Sequence, residues 1–468
     1  MLAYRASARL FGSHLVTKLG AETYSLAVCA TAGLFSLMVL GAPAHGQSAQ
    51  ANWWESLTGS GAPDYTGRRQ ADGARDRAAQ QGDVLDDLRP DAMPMRSDEM
   101  IAAMDAAIAK YQRIADNGGW PVVPAGRMMR EGEDDDRVPL LRRRLQMSGD
   151  FSPRTPTYNS NAFDSDLADA VRRYQRRNGL RPTGRVERST YPALNMTVDQ
   201  RIAQLRMNLG RVRELMQTPV EERYVLVNVP AFQLEAVAKY EVQQRHRVIV
   251  GRTERQTPSV KATIRALNFF PYWRVPDSVA HLDLIPRLLK EPEYLQNEKI
   301  RVLDPAGNRE LDPQAVDWNS PEAQKLKFRQ DPGPQNALGL VRIDMANEHG
   351  VYMHDTPMKP LFKQRSRAFS AGCVRIEGVF DLVDWLGSYE QGYGEPGRAQ
   401  QIVEGGQAVD VNLTRPVPVY FVYITAWAER DGDVEFRPDI YGRDGSVDQI
   451  AEMDRDPNEP APTITLAP

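Results

Sequence analysis

Two short runs, Y-M-H-D-T-P at 352–357 and S-A-G-C-V-R at 370–375, decide how this chain is read. They hold His354 and Cys373, nineteen positions apart. The chain has two cysteines, and Cys29 lies in an apolar N-terminal stretch that reads as removable. Export then leaves one thiol without a partner in its own chain, a liability in an oxidising compartment unless it is buried or used. Gly372 permits a sharp turn just before the thiol. Val379, Leu382, Val383 and Leu386 recur at helical spacing, which predicts a helix from near Glu377. A thiol just ahead of a helix N-terminus and close to Arg375 is expected to ionise more easily. His354 can take the thiol proton, or sit beside the thiolate as imidazolium. Asp355 and Thr356 follow it and can fix its tautomer. Backbone N–H groups near Gly372 and Cys373 can form an oxyanion hole. By residue type alone, a buried inert cysteine is the competing account.

Working outward, Asn347-Glu348-His349-Gly350 reads as a hairpin turn, with Val341 to Met345 before it and Val351 and Met353 on the returning strand. His354 then stands at a strand end. Runs near Tyr224, Leu234, Val248, Ile264 and Val417 also read as strands. Residues 275–334 break that series with prolines and helical pattern, an expected inserted lid. The catalytic domain is taken as 222–445, and 446–468 as a disordered acidic, Pro-rich tail.

At the other end, residues 1–46 run basic, apolar, then small, the order of a secretory signal. The apolar run is short for a membrane span, and no second one follows, so no transmembrane domain is expected after cleavage. Residues 47–96 read as a flexible spacer. Residues 97–198 hold an amphipathic helix from Ser97 and then a small helical unit; 199–221 read as a helical linker. With 468 residues, 41% hydrophobic and 26% charged, the chain can build a sizeable core. A formal net charge of -4 argues against nucleic acid as a partner held by bulk charge. No His, Cys and carboxylate spacing points to a metal, and no cofactor is expected. The fold class is α+β, a helical unit followed by a mostly-β domain.

The helical unit, with V-R-R-Y-Q-R-R-N-G-L at 171–180 and a Gly turn after it, resembles the peptidoglycan-binding domain 1 family. Its arginines, Arg142, Arg143, Arg144, Arg172, Arg173, Arg176 and Arg177, read as solvated singly, and as a group able to serve an anionic glycan peptide. The segments R-Q-D-P-G-P-Q-N-A-L-G (329–339), Y-M-H-D-T-P, R-A-F-S-A-G-C-V-R (367–375), Q-T-P (256–258), P-Y-W-R-V-P (271–276) and F-R-P-D-I-Y-G-R-D (436–444) resemble L,D-transpeptidases of the YkuD-domain superfamily. The likeness is to the large Gram-negative subfamily with an N-terminal peptidoglycan-binding module. It implies a mostly-β YkuD-type domain with Cys373 as nucleophile and His354 as its acid or base. It implies attack on a tetrapeptide stem of peptidoglycan, release of D-alanine, a thioester, and a 3→3 cross-link once a second stem's amine resolves it. It also implies a periplasmic location and acylation by carbapenems. Ser370 and Arg375 are candidates to support the loop with Gly372, or Arg375 to bind a substrate carboxylate. Tyr352, Asn336 and Trp273 are candidates for substrate contact. Where the family usually has His, two residues before the cysteine, this chain has Ala371. Rival readings are a cysteine hydrolase of cross-links or wall-anchored proteins, and a non-catalytic wall-binding scaffold.

Overall fold

The strand Arg223–Asn228 shows how the main domain is built. Val225 and Val227 turn into one apolar core while Tyr224 and Leu226 turn into another. Alternation of period two therefore buries both faces, which is why the run reads as continuously apolar. The computed structural model describes Leu88 and residues 92–445, apart from 153–159 and 394–395. The expected signal at 1–46, most of the 47–96 spacer and the tail at 446–468 lie outside the described residues.

Nine strands form the principal sheet. Arg223–Asn228, Gln233–Ala238 and Glu241–Gly251 run as an antiparallel meander. From Arg223–Asn228 the sheet continues through Val409–Val422, Val260–Phe269, Val341–Met345, Met353–His354 and Val374–Ile376 back to Glu241–Gly251. The sheet thus closes on itself around one core, with Ala368–Ser370 appended to the end of Glu241–Gly251. Closure removes the free edges an open sheet would present. The helix Val379–Gly387 packs Val379, Leu382, Val383 and Leu386 into that core.

Two long helices cover the outer face beside Tyr224, Leu226, Tyr420 and Val422. Asp98–Asp116 starts at Ser97, whose hydroxyl accepts the Met100 N–H at 3.1 Å. Val198–Leu215 starts with a reciprocal capping box between Thr197 and Gln200. The segment expected as a linker is therefore mostly a core helix. The spacer reading also fails at its end. Met93 and Met95 are buried in the same core, and the Arg96 guanidinium donates to the carbonyls of Leu215, Thr218 and Pro219. Two methionines and a satisfied arginine anchor the chain from residue 92.

The helical unit packs Val138–Ser148, Ser165–Arg177 and Thr190–Asn195 around Leu141, Leu145, Leu167, Val171 and Tyr174. Three of its arginines are not solvated as expected. Arg142 pairs with Asp164 at 2.6 Å, Arg144 stacks on Trp120 with its Cζ 3.8 Å from the ring centroid, and Arg177 pairs with Asp150 at 2.6 Å. Each is buried because its long stem fills apolar space while a carboxylate, carbonyl or ring meets its head. Arg177 also donates to the Val434 carbonyl, tying the unit to the hairpin of Ala426–Ala428 and Val434–Phe436.

The insertion has a core of its own, including Trp273, Val279, Leu284, Leu288, Val302 and Phe328. Besides helical turns between Asp277 and Leu288 it carries a four-stranded sheet of Trp273–Arg274, Lys327–Gln330, Ile300–Leu303 and Glu310–Leu311. Among the described residues no helix is long and apolar enough to cross a membrane.

Candidate active site

The two motif runs meet because their strands pair in parallel. Met353 lies opposite Val374 and His354 opposite Arg375. Met353 and Val374 point into the closed core. Strand alternation sends His354 and Arg375 to the other face, whereas Cys373, just ahead of its strand, packs with the closed core, and Tyr352 touches that core as well. Tyr352 also touches the core of the insertion, so the site is sandwiched between sheet and insertion.

Cys373 is free and 7% exposed. Its loop is fixed by a chain of hydrogen bonds. The Gly372 N–H donates to Ser370 Oγ at 3.1 Å, and the Ser370 hydroxyl donates to the Cys373 carbonyl at 2.6 Å. Gly372 has φ +123°, where a side chain would be strained. Its carbonyl accepts the Thr257 hydroxyl at 2.8 Å, and Thr257 Oγ1 accepts the Gly251 N–H at 2.8 Å. The Tyr441 hydroxyl donates to the Gly251 carbonyl. Ser370 thus links the Gly372 N–H to the Cys373 carbonyl within the loop. Of the two N–H groups expected to form an oxyanion hole, that of Gly372 is already engaged. Ala371, in the place of the family histidine, is half-buried and packs on the core of the insertion.

His354 is fully buried. Its Nδ1 donates to the Asp355 carbonyl, since a carbonyl can only accept, so Nε2 keeps the bare lone pair. Among the described residues Nε2 has no partner at full hydrogen-bond geometry, although the Leu338 backbone also acts on the ring. The tautomer is set by the Asp355 backbone, not by its carboxylate or by Thr356. That carboxylate accepts the Leu340 N–H at 3.0 Å and pairs with Lys359, which pins the strand end. Burial, and then the Arg375 charge, lower the His354 pKa to about 3. Burial raises the Cys373 thiol to about 11, against the opposing pull of Tyr352 and Arg375.

The resting pair is therefore a neutral thiol and a neutral imidazole. The expected thiolate fails for two reasons. The helix begins at Val379, with the strand Val374–Ile376 between it and the thiol. The dipole acts within about one turn of the helix end and does not reach across that strand. Desolvation then outweighs the Tyr352 hydrogen bonds and the two nearby cations, Arg375 and Arg342.

Arg375 is not a loop support. It is 1% exposed, and its Nε and Nη1 have no hydrogen-bond partner among the described residues. Burial brings its pKa down only to about 10, so it stays charged near neutral pH. Tyr352 meets the His354 ring edge-on at 5.8 Å between centroids and is coupled to both Cys373 and Trp273. Trp273, 2% exposed, belongs to the core of the insertion and forms part of the floor beneath Tyr352. Asn336 does not face a substrate. Its amide donates to the carbonyls of Pro271 and Asp331 and accepts the Leu338 N–H at 2.8 Å, so it braces the loop after the insertion. Thr257 and Tyr441 were missed as supports of the cysteine loop. Their only sequence signal was membership of the Q-T-P and F-R-P-D-I-Y-G-R-D runs.

Residues 222–417 match the family model of the L,D-transpeptidase catalytic domain, YkuD, and residues 134–194 that of a putative peptidoglycan binding domain. The chain thus carries a YkuD-type L,D-transpeptidase domain with a peptidoglycan-binding-type domain ahead of it. A putative L,D-transpeptidase of Haemophilus influenzae is 32% identical over 253 residues, covering 54% of this chain and 50% of that protein. The match thus spans half of that relative's length. Among solved structures, an L,D-transpeptidase from Stackebrandtia nassauensis is 12% identical, over 64% of this chain and 96% of its own, with a TM-score of 0.24. One from Xylanimonas cellulosilytica is 12% identical, over 64% and 99%, with a TM-score of 0.21.

Proposed function

We propose that this protein is a cysteine L,D-transpeptidase that forms 3→3 cross-links in peptidoglycan. Cys373 Sγ attacks the carbonyl joining diaminopimelate to the terminal D-alanine of a tetrapeptide stem. His354 Nε2 takes the thiol proton and delivers it to the departing amine, so the C–N bond breaks and D-alanine leaves. A thioester remains. The side-chain amine of a second stem then attacks it, forms the new amide and returns the thiol. The thioester divides one acyl transfer into two steps and conserves the bond energy of the donor. The reaction runs outside the cytoplasmic membrane, in the periplasm, where the polymer lies.

The observation that supports this most is the lone pair of His354 Nε2. It is buried and among the described residues has no partner at hydrogen-bond geometry, on the same sheet face as Arg375, which follows the only cysteine of the domain by two positions. A neutral pair suits this chemistry, because the proton moves only as the substrate arrives and no charge has to be kept in a buried site. The insertion closes over the site and favours an amine over water.

The test is to incubate the purified protein with disaccharide tetrapeptide and analyse products by mass spectrometry. Expected are a cross-linked dimer, one D-alanine per bond, and neither from Cys373→Ala. Shortened monomers carrying water-derived oxygen, without dimer, identify a hydrolase instead. A folded protein that gives no product and no carbapenem adduct on Cys373 is the scaffold of the third reading.

A further inference from the structure

Among the described residues no ion pair forms with Arg375, and its buried Nε and Nη1 have no hydrogen-bond partner. A buried guanidinium ordinarily has a carboxylate or several carbonyls around it, since removing such a charge from water unpaired is costly. Elsewhere in this chain that rule holds: Arg177 has Asp150, Arg142 has Asp164, and Arg96 has Glu221 with three carbonyls. Arg375 is as deeply buried, yet no carboxylate pairs with it among the described residues. Asp355, which follows His354 in the chain, is already held by Lys359 and the Leu340 N–H. A second cation, Arg342, lies with its Cζ 5.6 Å from the Tyr352 ring centroid and has its own partner, Asp344, at 3.1 Å.

Placement says what the missing anion is. Arg375 lies two residues along the strand from Cys373, a rise of about 6.6 Å. It shares a face with His354, its cross-strand neighbour. In a donor whose last peptide bond is attacked, one residue separates the attacked carbonyl carbon from the terminal carboxylate. That span is about 3.5 Å from backbone dimensions. Arg375 is close enough to Cys373 for the charge of each to act on the other, so its guanidinium can hold such a carboxylate while the thiol meets the carbonyl, and its planar fork suits a carboxylate's two oxygens.

We propose that Arg375 binds the free C-terminal carboxylate of the residue that leaves, so that the site selects donors with a single residue beyond the scissile bond. This rests on the transpeptidase reading of the site. It makes Arg375 a specificity residue of the donor: an amidated or extended stem lacks a carboxylate at that distance.

Binding is measured in the full chain carrying Cys373→Ala, where no chemistry follows. Calorimetry compares disaccharide tetrapeptide ending in a carboxylate with the same stem ending in an amide. With Arg375 present, the acid is expected to bind at least about tenfold more tightly, the worth of one charge-assisted contact. Arg375→Gln is expected to weaken the acid to the level of the amide and leave the amide unchanged. Arg375→Lys, which keeps the charge, restores part of the preference and shows that the fold tolerates change at this position. Equal binding of acid and amide, binding of neither, or a preference that survives Arg375→Gln overturns the proposal. No arm needs turnover. A protein that prefers the acid but forms no thioester with Cys373 intact refutes the transpeptidase reading and leaves the carboxylate site standing.

Discussion

Alkylation of Cys373 as a function of pH distinguishes a neutral resting pair from a preformed ion pair. With the thiol near pKa 11, the thiolate fraction at pH 7 is on the order of one in ten thousand. An unperturbed thiol is about 3% ionised there, roughly 300-fold more. The more basic thiolate is the better nucleophile and regains about tenfold of that. Cys373 should then react with iodoacetamide about thirtyfold more slowly at pH 7 than a free cysteine. Steric shielding of a 7% exposed sulfur slows it further, but equally at every pH, so the slope decides the matter. Log rate should rise with unit slope from pH 6 to 9.5, with no inflection near neutrality. His354→Ala should leave that slope unchanged, since a neutral imidazole near pKa 3 neither lowers the thiol nor titrates in the window. The assay is quenched alkylation with peptide mapping, so that Cys29 is counted separately. A rate that is flat from pH 5 to 8, or a plateau abolished by His354→Ala, would refute the reasoning and restore the thiolate–imidazolium pair.

Three further changes probe the supports. Thr257→Val keeps the shape but strands the Gly251 N–H and the Gly372 carbonyl, both buried. It should cost about 2–4 kcal/mol in urea unfolding and lower D-alanine release, and a loss below about 0.5 kcal/mol would show that the loop is held by other contacts. Gly339→Ala would place a Cβ 2.4 Å from Asp355 Oδ2 at φ +62°. Because Asp355 is pinned, the strand end carrying His354 must move. Turnover should fall at least about tenfold at a temperature where circular dichroism still reports a folded protein. Glu235 is fully buried, and desolvation raises its pKa to about 7 from 4.5. The folded state therefore binds a proton that the unfolded state has lost between those values. The stabilisation is complete below 4.5 and disappears as pH climbs through 7. Glu235→Gln, which keeps an acceptor for the Met95 N–H, should gain about 2 kcal/mol relative to wild type between pH 5 and pH 8. Equal unfolding differences at the two pH values would disprove it.

What the amino-acid order determined by itself was local. Period-two runs such as Tyr224 to Asn228, helical spacing such as Leu382, Val383 and Leu386, the Asn347–Gly350 turn and the two motif runs are all short-range patterns, and each was legible before any coordinates. Tertiary structure alone decided the electrical state of the site. Whether Cys373 and His354 carry charge depends on how much water is removed from around them, and that depends in part on the insertion at 275–334 packing against Tyr352 and Ala371. The same holds for the arginines: identical side chains at 142, 144, 177 and 375 are buried, and among the described residues the first three meet an ion-pair, carbonyl or ring partner while Nε and Nη1 of Arg375 meet none. Desolvation is set by everything packed within a few ångströms, whatever its distance along the chain, so a linear reading weighed the helix dipole and Arg375 and left the dominant contribution out.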